Sequence, residues 1–396
     1  MKRIFPIASV LIIAVVSSCQ RKGCIQPDPW LQMAHQKIIR TLQHLPDTAL
    51  MPRMIPVGSK EWKTVGIYDW TSGFWPGILW YMADFSGDSI LLKKARHWTA
   101  CLEPVKKMRE KNHDLGFMMY CSFGNGFRLT GDSLYRNILL ETSDSLVTLF
   151  NPRVGTILSW PWQKQNRGWK HNTIIDNMMN LELLFWASRN GRPAYKDVAI
   201  RHALTTMKNQ IRPDYSVVHV VVYDDETGIV DSLKTWQGAS DKSMWARGQA
   251  WGIYGFTMSY RETGMKEFLT TARNLANHYI ERLPADGVPY WDFDAPGIPN
   301  EPKDASAAAI TASALIELSS LFPDKDTASH YLHTACRILT SLATHYLAPD
   351  ESDALLSHSV GSKPHNSEVD VPIIYADYYF IEALMRLRNM KNGTSD

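Results

Sequence analysis

The feature that most constrains the fold is a repeated pairing of two kinds of helical segment. An apolar, aromatic-rich segment is followed by a short Gly, Asp or Asn turn and then by an amphipathic segment with helical spacing. The apolar members are 73–85, 124–129, 176–188, 249–260 and 305–320, and their amphipathic partners are 89–102, 134–149, 194–210, 266–282 and 329–346. A last segment, 375–388, is predicted to pair with an N-terminal helix near 31–45.

A helix that is apolar on every side has to be surrounded by protein, whereas an amphipathic helix keeps one face in water. The alternation therefore predicts an inner ring of apolar helices inside an outer ring of amphipathic ones. Six such hairpins predict an all-α fold, an (α/α)6 barrel, with a small β-hairpin near 216–230. No linker divides the series, so we expect a single domain over 31–390; a helical solenoid open at both ends is the alternative.

Charge and cysteine content exclude several classes of function. A net charge of +2 over 396 residues gives no electrostatic reason to expect a nucleic-acid partner. Cys24, Cys101, Cys121 and Cys336 are widely spaced and form no C-x-x-C pair, so we expect neither a disulfide framework nor a zinc site. Phosphate-binding and metal-binding motifs are also missing from the sequence, and we expect no metal and no cofactor.

The N-terminus has the pattern of an export signal. Residues 1–18 combine two basic residues, an apolar run over 4–16 and small residues after it, and the run is too short to span a membrane. Val16-Ser17-Ser18-Cys19 is similar to the bacterial lipoprotein box, which implies cleavage before Cys19 and lipid attachment to it. We therefore expect residues 19–30 to be a lipid-anchored tether of a protein of the bacterial periplasm or cell envelope, with membrane contact through Cys19 only.

One apolar stretch contains an isolated acidic residue. Residues 170–187 lack Gly, Pro and turn clusters, and are predicted to form one helix of roughly five turns. On that helix Asn172, Asp176 and Asn180 would form a single polar stripe. Since an unpaired buried carboxylate is costly, Asp176 either holds a neighbouring loop or lines a wet cavity.

The loops that enter the inner helices carry polar and aromatic residues, as expected where a rigid scaffold presents a site. Asp114 and Asp176 fall at equivalent ends of adjacent inner helices, and paired carboxylates in one cleft are typical of glycoside chemistry. Arg247 either binds a substrate carboxylate in a bidentate fork or is a surface or capping arginine. His113 and His219 lack metal-ligand spacing, so hydrogen-bonding roles are expected for them. The 14 Trp and 16 Tyr are numerous enough to supply stacking surfaces for sugar rings, although they are also ordinary core residues.

Several of these motifs resemble the unsaturated glucuronyl hydrolases, glycoside hydrolase family 88. The resemblance extends from about Asp69 to Ala383, and its motifs are Trp70-Thr-Ser-Gly-Phe-Trp-Pro-Gly, His113-Asp-Leu-Gly-Phe, Ile175-Asp-Asn-Met-Met-Asn-Leu, Gln237-Gly, and Trp245-Ala-Arg-Gly-Gln-Ala-Trp-Gly. It implies an (α/α)6 barrel. It also implies removal of a terminal 4,5-unsaturated glucuronic acid from lyase-generated glycosaminoglycan oligosaccharides, by hydration of the C4=C5 vinyl ether.

The resemblance also implies roles for individual residues. Asp176 would be the general acid/base that protonates C4 and directs water to C5, and Asp114 would hold ring hydroxyls and bias the charge of Asp176. The stacking walls would be Trp70, Phe74, Trp162, Trp245 and Trp251. The residues that orient the sugar or the water would be His113, His219, Gln237 and Arg247. Ser362 and Lys363 would contact the sugar beyond the cleaved bond.

Two rival functions are open at this point. An unsaturated rhamnogalacturonyl hydrolase shares the barrel and the chemistry but acts on pectin fragments. A non-catalytic helical lipoprotein that captures glycans would need the aromatic residues without a buried carboxylate pair, and Asp176 argues against it.

Overall fold

The structure, a computed structural model, describes residues 24–46 and 48–393, most of them in helices. The α-helices are α1 Pro27–His44, α2 Phe74–Ser86, α3 Ser89–Cys101, α4 Leu115–Met119, α5 Asn125–Thr130, α6 Ser133–Val147, α7 Gln163–Arg167, α8 Leu181–Arg189, α9 Tyr195–Gln210, α10 Ala246–Thr263, α11 Lys266–Glu281, α12 Ala305–Ser320, α13 Lys325–His345 and α14 Ile374–Asn392. A π-helical segment joins α4 to α5 at Tyr120–Gly124, and 3-10 helices cover Glu103–Lys107, Ile175–Asn180 and Lys363–His365.

The strands form four small antiparallel sheets at the ends of the helices. They are β1 Met51–Met54, β2 Lys63–Val65, β3 Phe150–Asn151, β4 Thr156–Ile157, β5 His171–Ile174, β6 Val220–Tyr223, β7 Val230–Lys234, β8 Ser359–Ser362 and β9 Ser367–Val371. The sheet orders are β1-β2, β3-β4, β5-β6-β7 and β8-β9.

A Gly-Asp sequence sets where one helix ends and the next begins in the turns between α2 and α3 and between α5 and α6. Gly87 ends α2 in the left-handed conformation, with φ of 67°, which costs glycine little because it has no Cβ. Asp88 then begins α3, and its side chain accepts a hydrogen bond from the Ile90 N–H at 2.7 Å. Gly131 and Asp132 repeat this arrangement between α5 and α6. In these two hairpins, local sequence therefore fixes where the inner helix stops and its outer partner starts.

The hairpins close into a ring, which confirms the predicted (α/α)6 barrel. The inner elements are α2, α4–α5, the 3-10 helix at 175–180 with α8, α10, α12 and α14. Nearly every residue of α10 and α12 is buried, as the apolar sequence requires. The ring closes where α14 pairs with α1, through Arg388–Asp28 at 3.1 Å and a hydrogen bond from Lys391 Nζ to the Ile25 carbonyl at 2.9 Å. Across residues 24–46 and 48–393, no helix is long and apolar enough to cross a membrane.

The single helix predicted over 170–187 is wrong. Residues His171–Ile174 form strand β5, the 3-10 helix covers Ile175–Asn180, and only then does α8 begin. Strand β5 pairs with β6, Ile174 lying opposite Val220, and this pairing together with the β-branched run 173–175 outweighs the helical pattern. The proposed polar stripe therefore does not exist as a helix face.

The β-hairpin predicted near 216–230 is confirmed and is larger than expected. Strands β6 and β7 pair antiparallel, from Val220 opposite Lys234 to Tyr223 opposite Val230. The second strand thus ends beyond residue 230, and β5 adds a third strand on the other side of β6.

The sequence indicates no disulfide framework, but the structure contains a disulfide that this expectation missed, between Cys24 and Cys336. They lie 312 residues apart in sequence, so their spacing gives no sign of the pairing. Closure of the ring places the segment before α1 against α13. The first helix begins at Pro27, earlier than the predicted Leu31. Cys19 and the signal segment over 1–18 lie outside the described residues.

Candidate active site

The site lies at the end of the barrel where the inner helices begin, which we call the site end. Each inner helix is followed by an outer helix that returns, so all inner helices run in the same direction and their entry loops meet. Asp114 immediately precedes α4, Asp176 is in the 3-10 helix that leads to α8, and Trp245 immediately precedes α10. The structure thus places the two predicted carboxylates at one end of neighbouring inner elements, although the helical stripe used to predict one of them is absent.

Asp176 is a nearly buried carboxyl group. Its side chain is 14% exposed, and its Oδ2 lies 3.8 Å from Nε2 of His219 without a hydrogen-bond partner. Burial raises the pKa of Asp176 to about 7, because the charged form loses hydration, and the positive charge of Arg247 partly opposes this shift. A carboxyl group that titrates near neutrality can both deliver a proton and take one back, as a general acid/base must.

Asp114 has the same exposure and faces the other histidine. Its side chain is 14% exposed, and its Oδ1 lies 3.4 Å from Nε2 of His113. Burial raises the pKa of Asp114 well above its usual range, and the nearby carboxylates of Asp176 and Asp69 raise it further. Burial and the neighbouring carboxylates thus both favour the protonated form of Asp114.

Hydrogen bonding fixes the tautomer of His113. Asn180 accepts a hydrogen bond from the Phe117 N–H at its Oδ1, so its amide nitrogen donates to Nδ1 of His113, at 3.0 Å. The remaining proton of the neutral ring is then on Nε2, the atom that faces Asp114. Burial lowers the pKa of His113 to about 3, so the ring stays neutral.

His219 is arranged in the same way beside Asp176. Its Nδ1 accepts hydrogen bonds from the N–H groups of Trp236 and Gln237, each at 3.2 Å, which leaves the ring proton on Nε2. Burial, together with Arg247 and His113, lowers the pKa of His219 to about 3. Both predicted histidines thus present a neutral N–H towards a catalytic carboxyl candidate.

The five predicted aromatic residues differ in how they reach the cleft. Trp162 is 43% exposed at its rim, Trp245 packs against His219 with ring centroids 4.4 Å apart, and Trp70 is half-buried. Phe74 and Trp251 have no exposed surface. Both pack against Phe117, at 5.8 and 5.3 Å, so they form the floor under the site rather than its walls.

Arg247 does not present a free fork to a substrate in this structure. Its Nη1 forms an ion pair with Asp304 at 3.0 Å and also donates to the Val360 carbonyl, while Nη2 donates to the Gly361 carbonyl at 2.6 Å. The side chain is 2% exposed. To make the predicted bidentate contact with a substrate carboxylate, Arg247 would have to break these hydrogen bonds with Asp304, Val360 and Gly361.

Ser362 and Lys363 lie on the β8–β9 hairpin, which the structure places beside the predicted site residue Gln237. The amide of Gln237 donates to the Gly361 carbonyl at 3.0 Å, and the His365 ring packs on Trp236 with centroids 4.5 Å apart. Ser362 Oγ is 2.7 Å from Nδ1 of His365. The loop predicted to contact a second sugar is therefore at the rim of the same cleft.

Some residues of the site end carry no motif that sequence reasoning could use. Arg53, in strand β1, forms ion pairs with Asp69 and with Glu368 of β9, both at 2.5 Å. Asp304 precedes α12 and holds Arg247. Asp69 stands directly before the Trp70 motif, so its position in the sequence could have identified it as a residue of the site. Within the described ranges, no group of three or more His, Cys, Asp or Glu side chains is placed to hold a metal ion.

A cavity lies away from these carboxyl groups. It measures about 700 Å³ and lies at the opposite end of the barrel, which we call the far end, where the inner helices finish. Its charged lining residues include Glu182, Arg261, Glu317, Glu382 and Arg386. A cavity alone therefore does not identify the site, whereas two nearly buried carboxyl groups that face neutral histidines and have raised pKa values do.

An inner and outer ring of helices with two nearly buried carboxyl groups, neutral histidines and aromatic rings at one end defines the class of carbohydrate-active hydrolases built on this barrel. The comparisons with known proteins make the assignment specific. Residues 50–389 match the model of Glycosyl Hydrolase Family 88, and the chain belongs to this family.

The relatives agree with that assignment. An unsaturated glucuronyl hydrolase of Formosa agariphila is 45% identical over 346 residues, 86% of this chain and 85% of that one. A crystal structure of an unsaturated glucuronyl hydrolase specific for heparin matches with a TM-score of 0.88 and 41% identity, covering 93% of this chain and 98% of that one. A second, from Bacillus sp. GL1, described as responsible for the degradation of glycosaminoglycan, has a TM-score of 0.87 and 33% identity, covering 91% and 97%. The chain is therefore an enzyme, a glycoside hydrolase.

Proposed function

We propose that the protein removes a 4,5-unsaturated glucuronic acid from the non-reducing end of glycosaminoglycan oligosaccharides produced by a lyase. The observation that carries the proposal is Asp176, a nearly buried carboxyl group with a pKa of about 7 and an unpartnered Oδ2 at the site end. Membership of family 88 and the similarity to unsaturated glucuronyl hydrolases support the same reaction.

The proposed chemistry uses Asp176 first as an acid and then as a base. Protonated Asp176 gives its proton to C4 of the C4=C5 double bond, and positive charge develops at C5, shared with the ring oxygen. Water adds at C5 while its proton returns to the Asp176 carboxylate. The C5 hemiketal then opens: its hydroxyl loses a proton, C5 becomes a ketone, the bond from C5 to the ring oxygen breaks, and that oxygen becomes a hydroxyl on C1. The C1 hemiacetal collapses to an aldehyde, the glycosidic C1–O bond breaks, and the neighbouring sugar leaves with the hydroxyl's proton on its oxygen. Asp114, whose protonated form is favoured by burial, is suited to hold ring hydroxyls by hydrogen bonds.

The uncharged histidines suit this sequence of steps. Nε2–H of His219 faces Asp176 at 3.8 Å, a gap that a water molecule or a substrate oxygen could bridge with small movements. Because the ring stays neutral, it can orient a water oxygen without removing the proton that Asp176 has to deliver.

Glycosaminoglycan fragments are the proposed substrate class because two of the similar structures concern heparin and glycosaminoglycan degradation. Neither the relatives nor the structure favours pectin fragments, and the carboxyl pair at the site end argues against a protein that only captures glycans. Ser362 and Lys363, at the rim beside Gln237, are proposed to contact the second sugar.

The test of the mechanism is a reaction in D2O. Hydration of the vinyl ether places one solvent deuterium at C4 of the released product, which NMR detects, and leaves saturated glucuronides uncleaved. A conventional glycosidase develops charge at C1 and releases the sugar with C4=C5 intact, so it introduces no deuterium at C4 during cleavage. Deuterium would then enter only afterwards and on both faces of C4, as the free sugar opens to its keto form, whereas hydration on the enzyme delivers it to one face during turnover. A product without deuterium at C4, or equal cleavage of saturated and unsaturated substrates, would refute the proposal.

We further propose that the chain is exported and attached to a bacterial membrane through a lipid on Cys19. The sequence Val16-Ser17-Ser18-Cys19 after the apolar run supports this. So does the Cys24–Cys336 disulfide, since disulfides persist in oxidising compartments such as the periplasm. Metabolic labelling with a fatty-acid analogue tests it: label is expected in the wild type and lost in Cys19→Ala, and label retained in the variant would contradict the proposal.

A further inference from the structure

We propose that Asp304 is a positioning residue of this enzyme, which holds the guanidinium of Arg247 and sets the charge around Asp176. The inference rests on the proposed role of Asp176 as general acid/base. It assigns a function in the reaction to a residue that lies outside the family motifs read from the sequence.

Asp304 is placed to do two things at once. Its side chain has no exposed surface, and Oδ2 accepts from Arg247 Nη1 at 3.0 Å. The other oxygen, Oδ1, caps α12 by accepting from the N–H and the hydroxyl of Ser306, at 3.0 and 2.5 Å. Oδ1 also receives the Val360 N–H at 3.4 Å. One carboxylate therefore connects the start of α12, the side chain of Arg247 and the first residues of the β8–β9 hairpin.

The remaining partners of Arg247 are neutral. They are the carbonyls of Val360 and Gly361 and the rings of Trp245 and Tyr375, whose centroids lie 4.6 and 5.3 Å from the guanidinium carbon. Asp304 is therefore the anion in direct contact with the guanidinium. Because a buried charge without a counter-ion is costly, Asp304 also makes it possible for Arg247 to stay buried at this place.

The charged and titratable groups around Asp176 come from several elements. Arg247 comes from α10, His219 precedes β6, and Asp114 precedes α4. Both histidines are neutral, and Arg247 is the cation that lowers the pKa of Asp176 from within the site. Anything that neutralises or releases Arg247 must change the proton affinity of Asp176.

The two members of the pair should therefore have opposite effects. In Arg247→Gln, Asp176 loses a nearby positive charge and should bind its proton more tightly. In Asp304→Asn, the counter-ion of Arg247 is lost, the field at Asp176 becomes more positive, and Asp176 should release its proton more easily. Asparagine is as good a helix N-cap as aspartate, so α12 keeps its cap, and Asp304→Ser gives an independent version of the same charge removal.

The experiment is the pH dependence of kcat/KM on an unsaturated disaccharide for purified wild type and variants. We expect the alkaline limb to move by about one pH unit to higher pH in Arg247→Gln and by a similar amount to lower pH in the Asp304 variants. The matched control is Asp353→Asn. This carboxylate, 2% exposed, pairs with Arg40 and His44 on the outer wall, and its loss should leave the limb in place.

Each outcome is decisive. Opposite shifts in the two classes of variant support the inference. An unchanged limb in both Asp304→Asn and Asp304→Ser, or a shift of the same sign as in Arg247→Gln, overturns it. If the Asp304 variants do not fold, an unchanged limb in Arg247→Gln overturns it as well. Failure of the proposed function gives a different result: Asp176→Asn would then retain near wild-type turnover, whatever the pH profiles of the Asp304 variants.

Discussion

Buried carboxyl groups lie at both ends of the inner helices, but they differ in what faces them. At the site end, Asp176 faces a neutral histidine at 3.8 Å, and one of its oxygens has no hydrogen-bond partner. At the far end, Glu317 pairs with Arg261 and with Arg386, each at 2.7 Å, and Glu382 lies 3.6 Å from Arg386. The same barrel thus buries carboxyl groups in two contrasting electrostatic surroundings.

The surroundings change the proton affinity of these groups. Burial raises the pKa of Asp176 to about 7 because one guanidinium, already paired with Asp304, only partly opposes it. Burial acts on Glu317 too, but Arg261 and Arg386 together hold the pKa of Glu317 below its usual value. Glu182 lies between these cases, since burial still raises its pKa although Arg261 is beside it.

This contrast separates a reactive carboxyl group from a structural one. The far end has a cavity of about 700 Å³, yet Glu317 and Glu382 there are paired with neighbouring arginines. At the site end, Asp114 and Asp176 face neutral histidines rather than arginines, an arrangement that costs stability and supplies a proton near neutral pH. Substitutions at the two ends should therefore alter different properties of the protein.

The largest effect is expected for Asp176→Asn. The variant should fold, because a neutral amide of the same shape replaces a group that is costly to ionise. We expect kcat/KM to fall by about 10²–10⁴-fold, the usual contribution of a general acid/base. Steady-state kinetics and circular dichroism measure both properties. Near wild-type turnover in a folded variant would mean that Asp176 is structural.

A smaller effect, on stability rather than activity, is expected for Glu317→Gln at the far end. The variant loses charge-assisted contacts with two arginines, which we expect to lower the free energy of unfolding by about 1.5–3 kcal/mol. Urea unfolding measures it, and kcat/KM should stay at the wild-type value. The matched control is Asp84→Asn, a 30% exposed partner of Arg128 at the same end, which should cost less than about 1 kcal/mol. If Glu317→Gln lost activity but kept its stability, the assignment of structural carboxyl groups to the far end and reactive ones to the site end would be wrong.

Much of the fold could be predicted from the sequence, and the missing part has a physical reason. Alternating apolar and amphipathic segments with Gly-Asp turns predicted the ring of hairpins, because burial and capping are local properties of a segment. The prediction of a single helix over 170–187 was wrong because strand β5 pairs with β6, about 50 residues away, and only tertiary structure supplies that partner. Asp176 was nevertheless identified, through its isolation in an apolar stretch and the family motif.

The partners of the site were harder to predict than its carboxyl groups. His113 and Asp114 are adjacent in sequence, but Asn180, which fixes the tautomer of His113, comes from a different inner element. The expected substrate fork of Arg247 is occupied by Asp304, 57 residues later in the chain. Charge pairing at the far end has the same long-range character. Sequence reasoning finds residue types suited to chemistry, whereas ion pairing depends on how the ring closes.

The pH dependence of activity tests the shifted pKa directly. Asp176 has to be protonated to donate, so kcat/KM should fall about tenfold per pH unit above a pKa of about 7. His113 and His219 stay neutral across this range because burial lowers the pKa of each to about 3, so neither should produce the limb. Glu317→Gln should show the same limb as wild type. A limb near the ordinary value of an aspartate, about 4, would show that burial does not control Asp176.

The smallest effect is expected at the rim of the site end, for Trp162→Ala. Trp162 is 43% exposed, so its loss opens no cavity in the core and should leave the free energy of unfolding unchanged within about 0.5 kcal/mol. A stacking contact of an aromatic ring contributes about 0.5–1.5 kcal/mol, so KM should rise about 2- to 10-fold while kcat changes little. The control is Leu134→Ala, an exposed apolar side chain (56%) at the far end, which should alter neither constant. A Trp162 variant with wild-type KM would place the sugar deeper in the cleft, against Trp70 and Trp245. A large fall in kcat would instead mean that the rim orients the reacting double bond, because a contact that binds the ground state and the transition state equally changes KM alone.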